Sequence, residues 1–181
     1  MAQRKSEYQK RQDGNSTVFS VTPASAPKFG YMLFIGVIVT LIGIGSLGDP
    51  GFAIWFLGMG GFALWYGWSR DQRPKDHRVP ATFRVGSDFI EGGGRRFAKD
   101  DIHRLQLRNG ITDQELPGMQ VYTNNTNAMA GMAQRAKLSQ VANSLTVESA
   151  GKATMLAGGM DDTTVYGLLH DVYKVLDFKI S

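Results

Sequence analysis

Two charge-free, glycine-studded apolar runs, 29–48 and 51–68, stand back to back with only Asp49-Pro50 between them. No other feature narrows the possible folds of this chain so far. An α-helix needs roughly 20 residues to cross ~30 Å of hydrocarbon at 1.5 Å per residue, and each run comes close to that length without a Lys, Arg, Asp, Glu or His. The expectation is a tight transmembrane hairpin. Its alternative, a buried helical pair in a globule, usually shows a polar face. Asp49-Pro50-Gly51 supplies the turn, because Pro presets φ and Gly accepts a positive φ.

Flanking residues give that hairpin an orientation. Tyr31 near one end and Trp65, Tyr66 and Trp68 at the other suit the headgroup layer, where amphipathic rings collect, with Phe52 and Trp55 toward the opposite side. Arg4, Lys5, Lys10, Arg11 and Lys28 precede the first run, and Arg70, Arg73, Lys75 and Arg78 follow the second, while the connecting loop has no cation. The positive-inside rule then predicts a two-pass protein of the inner (cytoplasmic) membrane with both termini cytoplasmic. The runs are too long for the apolar core of a signal peptide. A cysteine-free chain fits a reduced compartment and excludes disulfides and thiolate metal sites.

Within the runs, Gly36, Gly43, Gly58, Gly61, Ala63 and Gly67 are the candidates for close helix packing, since small side chains let backbones approach. Gly36/Thr40 and Ala63/Gly67 have a small-xxx-small spacing that also suits a homo-oligomer. The absence of an ionisable residue inside the runs argues against an ion path.

Domain organisation follows from composition. Residues 1–28 read as a polar cytoplasmic tail, although Val18-Phe19-Ser20-Val21 has the makings of a strand, and 69–78 read as a basic juxtamembrane linker. Residues 79–181 form a domain with enough chain for one small core. Alternation and turn signals place strands near 79–85, 89–91, 95–98, 102–108, 119–123, 144–149 and 153–157. Val165, Leu168, Leu169, Val172 and Leu176 make one apolar stripe on a closing helix, with Asp161 or Asp162 as its N-cap. The expected class is a membrane helical hairpin plus a small α+β, mostly β, domain.

The segments Phe83-Arg84-Val85, Phe89-Ile90-Glu91, Arg95-Arg96-Phe97 and Asp100-Asp101-Ile102-His103-Arg104-Leu105, with a last strand joined through Gly158-Gly159-Met160-Asp161 to a helix, resemble bacterial pleckstrin-homology-like membrane proteins. The resemblance implies a bent sheet or partial barrel with a C-terminal helix, preceded by a helical hairpin, and a binding or scaffolding module without chemistry of its own. A helical insert at about 126–143, rich in Ala and Met, departs from the simplest form of that pattern.

Candidate contact residues are few. Met129 and Met132 share a face of the insert, where Met would adapt to a partner surface or pack on the sheet. Arg95 and Arg96 are either solvated strand residues or a contact for an anionic lipid or acidic partner. From residue 79 onward eleven Lys/Arg balance eleven Asp/Glu, which does not suit nucleic acid. His77, His103 and His170 lack metal-site spacing, Asp100-Asp101 and Asp161-Asp162 have structural explanations, and Gly92-Gly93-Gly94 lacks the Lys-Ser/Thr of a phosphate loop. No catalytic residue, metal or cofactor is expected. The function expected is a membrane-anchored scaffold that presents its domain to protein partners of an envelope complex, or alternatively a module that senses anionic lipid; membrane lipids, other membrane or cytoplasmic proteins and a second copy are its expected partners.

Overall fold

In a computed structural model the described residues are 5–27, 30–70, 73–112 and 135–177. They form two compact units, one made of 1–26 with 73–181 and the other of 27–72. The first is built on sheets. β1 (Glu7–Asp13) and β2 (Ser16–Thr22) make a hairpin whose two-residue turn starts at Gly14, φ +59°. β3 (Ala81–Gly86), β4 (Phe89–Gly92) and β5 (Arg95–Ala98) continue the same antiparallel sheet in the order β1-β2-β3-β4-β5. β6 (Ile102–Asn109), β7 (Asn143–Ser149) and β8 (Lys152–Met160) form a second sheet of three strands.

Residues 7–22 therefore form a hairpin of this sheet and not a tail. β2 pairs with β3 across the whole helical insertion, placing Phe19 opposite Phe83 and Val21 opposite Ala81. The two phenyl rings stack at 5.3 Å between centroids, and both are buried. β1 conceals itself in the sequence because it is an edge strand with nearly every side chain in water, so its alternation is lost. Ser6 completes the attachment. Its hydroxyl donates to Asp161 Oδ2 at 2.7 Å and accepts from the Asp161 amide at 2.9 Å.

The closing helix is α3 (Asp162–Leu176; α1 and α2 are given below), capped by Asp161, whose carboxylate accepts from the Thr164 amide at 2.9 Å. Val165, Leu168, Val172 and Leu176 are fully buried against both sheets, with Ile90, Leu145, Val147 and Met160 in the same core. Burial alone would raise the Asp161 carboxyl, but hydrogen bonds from Ser6 and Thr164 outweigh it and hold the group below the ordinary carboxylate range. Tyr8 ties β1 to the same helix by donating to Asp171 at 2.8 Å; burial and that acceptor push the phenol up to about 12.

The second unit is a helical hairpin, α1 (Gly30–Gly45) and α2 (Pro50–Ser69). No helix among the described residues is long and apolar enough to cross a membrane, which corrects the expected transmembrane hairpin, its two-pass inner-membrane topology and the fold class built on it. α1 has 16 residues, about 24 Å at the helical rise. α2 has 20 and the length to span, but Gly51, Gly58, Gly60, Gly61, Gly67, Trp55, Trp65, Tyr66 and Trp68 dilute its hydropathy. Lack of charge was a weaker criterion than it looked, because Gly, Tyr and Trp are uncharged without being strongly apolar. The class observed is α+β: an N-terminal β-hairpin, a two-helix hairpin, then antiparallel sheets with a C-terminal helix.

Candidate functional site

The helical hairpin is the most unusual surface of the molecule, and its construction starts at the turn. Asp49 caps α2, accepting from Gly51 at 3.1 Å and Phe52 at 3.4 Å, with Pro50 at the first helical position where its missing N–H costs nothing. Small residues then set the packing. Ala53, Gly60 and Gly67, spaced by seven, are buried on α2; Gly36 and Gly43, also spaced by seven, face it from α1. A Cβ on Gly43 would lie 2.9 Å from the Leu57 backbone nitrogen, and one on Gly60 would lie 2.3 Å from Thr40 Oγ1 and 2.7 Å from the Thr40 nitrogen. Each glycine admits a larger side chain or the backbone of the opposite helix: Leu64 at Gly36, Leu57 at Gly43, Thr40 at Gly60, Met32 and Leu33 at Gly67.

With the small residues turned inward, the large ones turn out. Among the described residues, fifteen of the seventeen exposed large hydrophobic side chains belong to this hairpin, from Phe34, Ile35 and Leu41 on α1 to Ile54, Trp55, Phe62 and Trp65 on α2. Ile54 is 73% exposed and Trp65 64%. Large exposed apolar patches mark sites of contact with other proteins, ligands or membranes. Of the packing candidates, Gly36, Gly43 and Gly67 line the seam, Gly58 and Gly61 face open space, and Ala63 is half-buried. Gly60 and Ala53 were missed, although their seven-residue spacing with Gly67 is visible in the sequence.

The expected anchors diverge. Trp65 and Trp68 are exposed, Tyr66 is half-buried, and the side chain of Tyr31 lies outside the described residues. Arg70 is exposed, with its guanidinium 5.0 Å from the Tyr66 ring centroid and donating to the Tyr66 hydroxyl at 2.8 Å. Lys75 is exposed and Arg78 half-buried. Arg73 is buried and donates to the Ala24 carbonyl, while the Ala24 amide donates to Gly159 at 2.8 Å. The segments that enter and leave the helical insertion are thereby fastened to each other and to the end of β8. His77 is buried beside them, packed on Gly110, Gly158 and Gly159. Burial lowers its pKa, Asp76 opposes and Arg73 reinforces that shift, and Nδ1 has no hydrogen-bond partner among the described residues.

Arg95 and Arg96 are exposed at the start of β5. Arg96 lies over the Phe89 ring, 3.9 Å from its centroid. Met129 and Met132 fall outside the described residues, as do most of the predicted insert and the strand expected at 119–123; residues 135–139 are helical. Among the described residues no group of His, Asp and Glu side chains is arranged to hold a metal ion.

Fold and site together define an α+β protein with an apolar two-helix insertion between paired strands. Comparison with protein-family models, curated proteins and solved structures yields no match in any of the three. The pleckstrin-homology-like resemblance gains no support from them.

Proposed function

We propose that this is a non-enzymatic interaction protein of a membrane surface, which seats its helical hairpin in the headgroup and upper acyl layers from one side and holds its β unit there for protein partners. The observation that carries this reading is the outward concentration of large apolar side chains on α1 and α2. Covering a fully exposed Leu, Ile or Phe contributes about 1.5–3 kcal/mol, so lipid contact with only part of this surface is strongly favourable. Exposed Trp65, Trp68 and Arg70 at one end supply the interfacial chemistry of rings and cations that headgroups attract. The larger sheet of the β unit ends at β1 and β5, and terminal strands suit extended peptides by main-chain pairing.

All three tryptophans of the chain, Trp55, Trp65 and Trp68, lie on α2, so intrinsic fluorescence reports on the hairpin alone. Phosphatidylcholine vesicles should shift the emission to shorter wavelength, and lipids brominated on the acyl chain should quench it. Emission unchanged by vesicles, with the protein's mass doubled in solution, would replace lipid by a second copy as the covering phase.

A further inference from the structure

Two turns that are distant in sequence meet on the β unit and leave a cleft of about 550 Å³, lined by Arg95, Arg96, Phe97, Ser149, Ala150, Lys152 and Thr154. Strand register explains why cations gather there. Gly92 pairs with Arg95 across the β4–β5 turn and Ser149 with Lys152 across the β7–β8 turn, so each turn passes two left-handed residues and delivers a cation directly after them. Among the described residues three cations and no carboxylate line this cleft, while Glu91 lines a second one with Arg95 and Arg96. Among the described residues Arg95, Arg96 and Lys152 have no ion-pair partner, whereas nearby Arg84 pairs with Asp13 and Arg104 with Glu148, each at 2.8 Å.

Overall charge does not force this arrangement, because residues 79–181 carry equal numbers of acids and bases. Local geometry presets it. The Arg96 guanidinium lies over the Phe89 ring, and buried Phe97 lines the cleft. Ala150 adopts φ +50° in the exposed turn, a conformation that strains a residue with a Cβ and that Gly would adopt freely.

We propose that this cleft binds a phosphoryl group, with Arg95, Arg96 and Lys152 as charged donors and the Ser149 and Thr154 hydroxyls beside them. Phosphate is the anion that matches the set: guanidinium forks bind its oxygens in pairs, and a dianion offsets most of the three positive charges. The cations are confined to two turns, and Glu91 pairs across the sheet with Arg96, which does not make the extended basic track of a nucleic-acid site. A lipid headgroup and a free phosphorylated molecule present the same chemistry. Every residue of the site belongs to the β unit.

The test uses the full chain in nonionic micelles, titrated with inorganic phosphate at constant ionic strength while the amide and guanidinium NMR signals of Arg95, Arg96, Ala150 and Lys152 are followed. These signals should move with phosphate, and the double variant Arg95→Gln/Lys152→Gln, altered only at exposed positions, should bind it about tenfold more weakly. Vesicles of phosphatidylcholine, without and with about one fifth phosphatidic acid, then separate the sources. Extra retention by phosphatidic acid that the variant loses assigns a lipid headgroup; phosphate binding without it assigns a soluble ligand. Equal signal movement with chloride at the same ionic strength, or undiminished phosphate binding by the variant, overturns the site. Tryptophan emission on pure phosphatidylcholine reads the hairpin separately, and it should be the same for both proteins.

Discussion

His77 occupies a slot that glycines leave open, and burial there couples its protonation to stability. A Cβ on Gly110 would fall 2.1 Å from its Cε1, and one on Gly158 would fall 2.6 Å from its Cδ2. The folded protein favours the neutral imidazole, so its pKa lies below the ordinary value of 6.5. In the window between that lowered value and about 6.5 the unfolded chain binds the extra proton, and stability therefore falls as pH falls. Asp161 and Asp171, also shifted down, act at more acidic pH, below the ordinary carboxylate value of 3.8. The thermal midpoint should thus decline on acidification from pH 7 to 5, and His77→Asn should flatten that slope while retaining the steeper loss at lower pH. Sequence spacing had only excluded His77 from a metal motif, because its glycine neighbours at 110, 158 and 159 come from distant segments.

At the scale of elements, the two apolar runs were plain in the sequence, while the face each helix turns to its neighbour was not. Gly58 and Gly60 are two residues apart on α2, yet Gly58 meets nothing within 4 Å and Gly60 meets the backbone of Thr40. Substitution should therefore separate them. Gly58→Ala gains helix propensity, up to about 1 kcal/mol, in open space. Gly60→Ala makes the same local gain but forces α1 and α2 apart, for a net loss of about 1–3 kcal/mol. Denaturant unfolding followed by the tryptophan emission of α2 measures both; equal effects would mean that the helices do not share this seam. The closing helix was easier to read, because Val165, Leu168, Val172 and Leu176 repeat on one face and all are buried there.

For the whole molecule, the decisive fact is that the helical hairpin interrupts one β unit. β2 and β3 are neighbours in the sheet but are separated in the chain by the entire insertion, and Ala24 and Arg73 are joined at its base. Replacing residues 27–72 by a short Gly/Ser linker should consequently leave a β unit that unfolds in one cooperative thermal transition and no longer binds phosphatidylcholine vesicles. Loss of that transition would show that the insertion is needed for the sheets to form.

Local sequence determined the strands from β3 onward, the closing helix and the existence of two uncharged helices, since each depends on a repeat of two or of three to four residues along the chain. Tertiary structure decided the rest. It enlisted residues 6–22 into the sheet and cap, because Phe19 and Ser6 find Phe83 and Asp161 only through long-range pairing. It also turned glycines inward and aromatics outward on the hairpin, and gathered Arg95, Arg96 and Lys152 at one cleft, because two turns far apart in the chain approach each other only in the folded protein.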